Sequence, residues 1–213
     1  MKKKFLALAL SLTMVLGLAA CGGGSDNASS DGSSAASGDS GSSTVVVAMG
    51  SGFSTLDPGY VYEKYPPMIV NACYETLFKF YSNDGAPEPC LADTYEFSED
   101  GLTLTVTLKD GITFASGNPM TSADVAFSIN RCKNLQGNPA FIADTIDSIE
   151  TPDEKTIVFH LNQQDSAILS KLTYSSLAVL DSAVVKENGG TDAEDAATTD
   201  TAQSYLDTTS AGS

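Results

Sequence analysis

The chain has 213 residues, with 27 acidic against 11 basic side chains, a formal net charge of −16, one His, four Cys and no Trp. That length accommodates one or two ordinary domains. The acidic balance argues against a nucleic-acid partner, which needs a basic face, and a single His leaves no His-rich metal site, so no metal or organic cofactor is expected.

The first element in the chain is a targeting segment, residues 1–20. Lys2-Lys3-Lys4 is a basic start, and Phe5 to Ala20 is an apolar run ending in small residues. The run is shorter than the ~18 apolar residues of a spanning helix, with an uncleaved anchor as the competing reading. Leu18-Ala19-Ala20-Cys21 resembles the lipobox of bacterial lipoproteins. The resemblance implies cleavage before Cys21, acyl lipid on its sulfur and amine, and a lipid-anchored chain on the extracytoplasmic face of the bacterial cell membrane. Two or three acyl chains anchor firmly where one is marginal. Removal of the three lysines leaves a net charge of −19.

Residues 21–44 are Gly, Ser, Ala and Asp with almost no large apolar side chain. They bury too little to offset the entropy of ordering, and read as a disordered tether. The patterned part spans residues 45–186. Val45 to Met49 is a β-branched apolar run that predicts a buried strand, broken by Gly50-Ser51-Gly52. Leu56-Asp57-Pro58-Gly59 predicts a turn, Pro66-Pro67 opens a helix to about Tyr74, and Leu77 to Tyr81 reads as a strand. Thr94–Phe97 and Leu102–Leu108 predict a hairpin, with Leu102, Leu104, Val106 and Leu108 on its core face. Thr121 and Asp124 predict a capping box for a helix carrying Val125, Phe127, Ile129 and Cys132.

Ile146–Glu150 and Thr156–Leu161 predict a second hairpin, followed by a short helix near Ser166–Lys171 and a strand at Leu177–Leu180. Residues 187–213 carry six acids and no base. They read as a disordered acidic tail unless something outside this chain packs on them. The fold class is α+β, a mixed α/β domain of short antiparallel strands and helices.

Several pieces then fall in the order of a known family: Leu56-Asp57-Pro58, Tyr74-Glu75-Thr76-Leu77, Ser98 to Thr103, Leu108-Lys109-Asp110-Gly111-Ile112, and Thr121 through Asp124-Val125 to Ser128 and Arg131. The run resembles the family 5 extracellular solute-binding proteins, the peptide-binding components of ABC importers. The departures are Tyr95 in place of a usual Trp and Ala115-Ser116 in place of His-Asp. The resemblance implies a periplasmic-binding-protein type II-like fold, with only the first strand of lobe 1 and the small accessory domain present. It also implies that the sequence stops short, Ala211-Gly212-Ser213 resembling the start of a longer family segment.

By the same resemblance the partners are a peptide or other small solute, ABC permease subunits and, through the lipid on Cys21, the membrane, and no catalysis is required. The residues expected to face the ligand are Ser51 and Gly52 at the end of the first strand, then Tyr60, Val61, Tyr62 and Glu63, and Phe141 after Pro139. Tyr offers a rigid apolar face with a polar tip, and Glu63 suits a ligand amine. Local packing of these aromatics is the open alternative.

Lys109 and Arg131 read as surface or packing charges. Cys73, Cys90 and Cys132 form no zinc spacing, and Cys73 and Cys132 read as buried free thiols on helical patterns. His160 falls on the solvent face of its strand. A lipid-anchored hydrolase and a structural or adhesive lipoprotein are the competing functions. No nucleophile elbow, HExxH or paired-carboxylate signature supports the first, and no internal repeat supports the second.

Overall fold

In the computed structural model, the described residues are 46, 48, 50, 52–83 and 85–212. The segment expected to be a signal, the Cys21 expected to carry lipid, the expected tether and Ser51 lie outside them. Val46 and Ala48 are exposed and in no strand, so the buried strand expected at 45–49 does not form at its described positions. A β-branched run becomes a strand only against a partner that takes its hydrogen bonds.

Helix α1 (Pro66–Cys73) opens on its two prolines, whose fixed φ and missing N–H cost nothing in a first turn. Strands β1 (Phe78–Lys79) and β2 (Glu88–Pro89) pair antiparallel. The strand expected through Tyr81 is therefore only two residues long, and Phe80 and Tyr81 project into solvent.

Strands β3 (Ala92–Phe97) and β4 (Thr103–Leu108) form the predicted hairpin. Gly101 takes the left-handed conformation at the turn, φ +69°, and the Asp100 carboxylate accepts from the Leu102 N–H at 3.0 Å. Helix α2 (Ser122–Asn134) follows, its entry closed by the Asp124 carboxylate accepting the Thr121 N–H at 2.8 Å. Strands β5 (Ile146–Glu150) and β6 (Thr156–Leu161) complete one antiparallel sheet of order β3-β4-β6-β5.

The register sets Leu104 opposite Phe159 and Val106 opposite Ile157. Alternation therefore sends Leu104, Val106, Leu108, Ile157, Phe159 and Leu161 to one face, where they pack with Val125, Ile129 and Cys132 of α2. Leu102 precedes β4 and is partly exposed instead. Helix α3 (Ile168–Lys171) is short, and the expected strand at 177–180 is a 3₁₀ turn, Ser175–Leu177, followed by buried extended chain. Two hydrogen bonds tie that chain down, from the Val179 N–H to the Glu75 carbonyl and from the Leu180 N–H to the Ser128 hydroxyl, and no ladder forms.

Beyond it come α4 (Ser182–Glu187), α5 (Ala196–Thr199) and α6 (Gln203–Leu206). The acidic tail expected to be disordered is thus folded. Ala196, Ala202, Leu206 and Ala211 are buried, three of them in a second core cluster with Val61, Val70, Tyr74, Phe127 and Leu180. Small alanines and a single Leu carry too little hydrophobicity to reveal this in the sequence, but they fill space beside a helix buried on two sides. The boundary expected at 186 is absent, Ala48–Ser213 forming one unit.

Among the described residues no helix is long and apolar enough to cross a membrane. Cys132 is buried as expected, whereas Cys73, expected buried, is exposed at the end of α1. His160 sits at the sheet surface with Nε2 3.2 Å from a Glu150 carboxylate oxygen.

Candidate functional site

The segment leading to Tyr60–Glu63 is held before it reaches the surface. Asp57 is fully buried, and one of its oxygens accepts the Gly59 N–H at 2.9 Å, starting a 3₁₀ turn over Pro58–Tyr60. Both Asp57 oxygens take the guanidinium of Arg131 at 2.8 and 2.7 Å. The other edge of Arg131 meets both oxygens of Asp200 at 2.8 and 2.9 Å. Burial disfavours the charge on Arg131, but hydrogen bonds and attraction from the two carboxylates outweigh it and raise its pKa.

Gly59 belongs to this frame because a Cβ there would lie 2.7 Å from the Leu135 side chain. A Cβ on Gly137 would lie 2.8 Å from the ring of Tyr60, so Tyr60 rests on bare backbone. Burial, then the charges of Asp200 and Asp57, raise the Tyr60 pKa and keep its phenol protonated.

Gly137 leads into a 3₁₀ turn, Asn138–Ala143, that carries Phe141. The rings of Tyr62 and Phe141 meet edge-to-face, centroids 5.4 Å apart, and each is about half exposed, at 50% and 51%. The fold thus joins Tyr62 and Phe141, far apart in the chain, into one aromatic surface, while the Tyr60 ring packs on the Gly137 backbone that leads into the turn bearing Phe141. Val61 alternates inward into the second core cluster and is a core side chain. Glu63 is exposed, and its carboxylate accepts the Ser54 hydroxyl at 2.6 Å. Gly52 is exposed with open space where a Cβ would be.

Among the described residues no group of His, Cys, Asp and Glu is arranged to hold a metal. The two family departures have local partners: the Ser116 hydroxyl donates to Asp181 at 2.5 Å, and Tyr95 meets Phe78 edge-to-face. Sequence reasoning missed Asp57, Arg131 and Asp200 as the frame. The available signal was Arg131 itself, four residues after Phe127 on a buried face of α2, where an unpaired cation cannot stay.

Residues 86–206 match the family described as bacterial extracellular solute-binding proteins, family 5 Middle. The chain belongs to that family. Its relatives include the glutathione-binding protein GsiB of Salmonella typhi, 30% identical over 147 residues, which span 68% of this chain and 28% of that protein. Another is the probable D,D-dipeptide-binding periplasmic protein DdpA of Escherichia coli, 30% identical over 154 residues, 70% of this chain and 30% of the relative. The chain therefore spans less than a third of the length of these relatives.

Solved structures agree in fold. The substrate-binding domain of an oligopeptide ABC transporter from Bacillus anthracis aligns with TM-score 0.60 and 23% identity, covering 63% of this chain and 29% of that one. DppA from Helicobacter pylori, in complex with the peptide STSA, aligns with TM-score 0.55 and 24% identity, covering 63% and 30%. The family 5 chain has the mixed α/β fold of the type II-like periplasmic binding proteins over this shared part.

Proposed function

We propose that this chain serves an ABC importer as its substrate-binding lipoprotein, capturing a short peptide or related small solute outside the membrane and delivering it to the permease. The observation that carries the reading is the half-exposed Tyr62–Phe141 pair, set on a rigid polar frame in a family 5 domain. Relatives named for glutathione and D,D-dipeptide binding support the ligand class.

Flat aromatic faces suit such ligands. They bury apolar area at little entropic cost and do not select one side chain, while polar tips meet the ligand backbone. Glu63 lies beside the pair in sequence and exchanges its Ser54 partner for a ligand amine. A ligand resting on this surface is covered on one side only. Capture is completed by an opposing wall that closes over it, and a ligand touching both walls only when closed shifts the population toward closure. Binding and release require no bond to be broken, so the chain is not an enzyme. The acyl lipid on Cys21 keeps the domain at the extracytoplasmic membrane surface, tethered within reach of the permease.

The test is import of labelled di- and tripeptides in the native bacterium, with its gene deleted and then restored as wild type or as the Tyr62→Ala/Phe141→Ala form. Deletion and the double variant are each expected to lower uptake while the wild-type gene restores it. Undiminished import on deletion would overturn the reading. In calorimetry the 213-residue chain alone is expected to bind weakly, and micromolar affinity would refute the two-wall account.

A further inference from the structure

Two carboxylates of the segment after α4 reach back to the stretch that precedes the aromatic surface. Asp207 accepts the Thr55 hydroxyl at 2.6 Å and the Leu56 N–H at 2.7 Å through one oxygen. Asp200 grips Arg131, whose opposite edge grips Asp57. The consecutive residues 55, 56 and 57 are thus clamped from outside their own segment, immediately before the turn that delivers Tyr60 and Tyr62.

We propose that Asp200 and Asp207 are positioning residues for the Tyr62–Phe141 surface, the 191–207 segment acting as a clasp that fixes where this surface stands. The proposal rests on the reading of that surface as the ligand contact. Asp200 is itself immobilised, since its oxygens also accept the N–H groups of Thr191 at 2.9 Å and Ala202 at 3.1 Å. Thr55 closes the arrangement by accepting the Asp57 N–H at 3.0 Å.

The chemistry favours placement over bulk stability. A buried ion pair gains little net free energy over a well-packed apolar one, but a guanidinium bonded bidentately along two edges tolerates one geometry. Arg131 therefore fixes α2, the 57–60 turn and the 191–202 loop against one another. On the far side, Tyr60 stops against the Gly137 backbone, and that glycine leads into the turn bearing Phe141. Movement at Asp57 is transmitted through Tyr60 to both halves of the aromatic pair.

The chain has no Trp, so Tyr62→Trp in the full chain gives a single reporter in the site that needs no ligand. On that background Asp207→Ala and Asp200→Asn are compared with Asp207→Asn, which keeps an accepting oxygen. Asp207→Ala is expected to red-shift the emission and raise acrylamide quenching, while amide-exchange protection of β4 and β6 stays unchanged and Asp207→Asn restores the wild-type signal. An unmoved reporter would overturn the proposal. So would loss of β4 and β6 protection in step with the reporter, because that marks a general stabilising role. If Asp200→Asn fails to fold, the less buried Asp207 pair of variants decides. Because the reporter works without ligand, its outcome is independent of whether peptides bind.

Discussion

Arg131 and Asp57 stand 74 positions apart in the chain and meet through two parallel hydrogen bonds of 2.8 and 2.7 Å, both side chains fully buried. Asp200 fills the remaining edge of the guanidinium, so one buried cation is shared by two buried carboxylates. Arg131→Met would leave those carboxylates without their partner. We expect a loss of about 3–5 kcal/mol in urea unfolding, mostly recovered when Asp57→Asn and Asp200→Asn are added. An unshifted midpoint would contradict the burial of this trio.

The frame also predicts a steric response. Gly137→Ala places a methyl 2.8 Å from the Tyr60 ring. Overpacking of this kind costs about 1–3 kcal/mol. Phe141→Ser, on the half-exposed surface, is expected to change stability by less than about 0.5 kcal/mol. Thermal melts of the two variants distinguish a supporting residue from a contact surface.

The three thiols of the folded part differ in environment. Cys73 is exposed, Cys90 is buried beside Glu75, and burial pushes Cys132 up to about 12. Because the thiolate is the reactive form, a Cys21→Ser chain should take up one equivalent of a thiol reagent rapidly, at Cys73. Cys132 should react only on unfolding, as peptide mapping of the labelled protein would reveal.

Acid should weaken the junction between α4 and the loop at Ser116–Asn118 that precedes α2. Burial acts to raise the Asp181 pKa, but donation from the Ser116 hydroxyl, the Val184 N–H, the Asn118 amide and the Ala183 N–H outweighs it and holds the value below the usual 3.8. A depressed carboxylate stabilises the fold above its unfolded value and ceases to as pH falls through the folded value. The stability gap between wild type and Asp181→Asn should therefore be full above pH 3.8 and shrink below it, measured by denaturant titration across that range.

The resemblance of Leu18-Ala19-Ala20-Cys21 to a lipobox makes a covalent prediction. Protein extracted from membranes should begin at Cys21 and carry diacylglyceryl mass on that residue, and Cys21→Ser should move the chain into the soluble fraction. Mass spectrometry of the amino-terminal peptide checks both.

Local chemistry in the sequence is enough to find the two hairpins and α2. Thr121 and Asp124 sit three apart, Leu104, Val106 and Leu108 alternate, and turn residues separate the runs. Those signals arise from neighbours in the chain. The aromatic surface was half legible: Tyr60, Tyr62 and Phe141 stood out as residue types, while their meeting depended on the bare backbone of Gly137. Val61 and Cys73 were misplaced because their burial was decided by what packs against their segments.

The sequence alone therefore determined the two hairpins, α2 and the residue types of the candidate surface, because these follow from short-range pattern and spacing, and it carried the motifs by which the chain resembles its family. Only the tertiary structure decided that residues 187–212 fold, that Leu177–Leu180 forms no ladder, and that Asp200 and Asp207 hold the segment before Tyr60. A lone aspartate in an acidic stretch reads as solvated, and its meaning changes only when a buried arginine 69 positions away requires a second carboxylate.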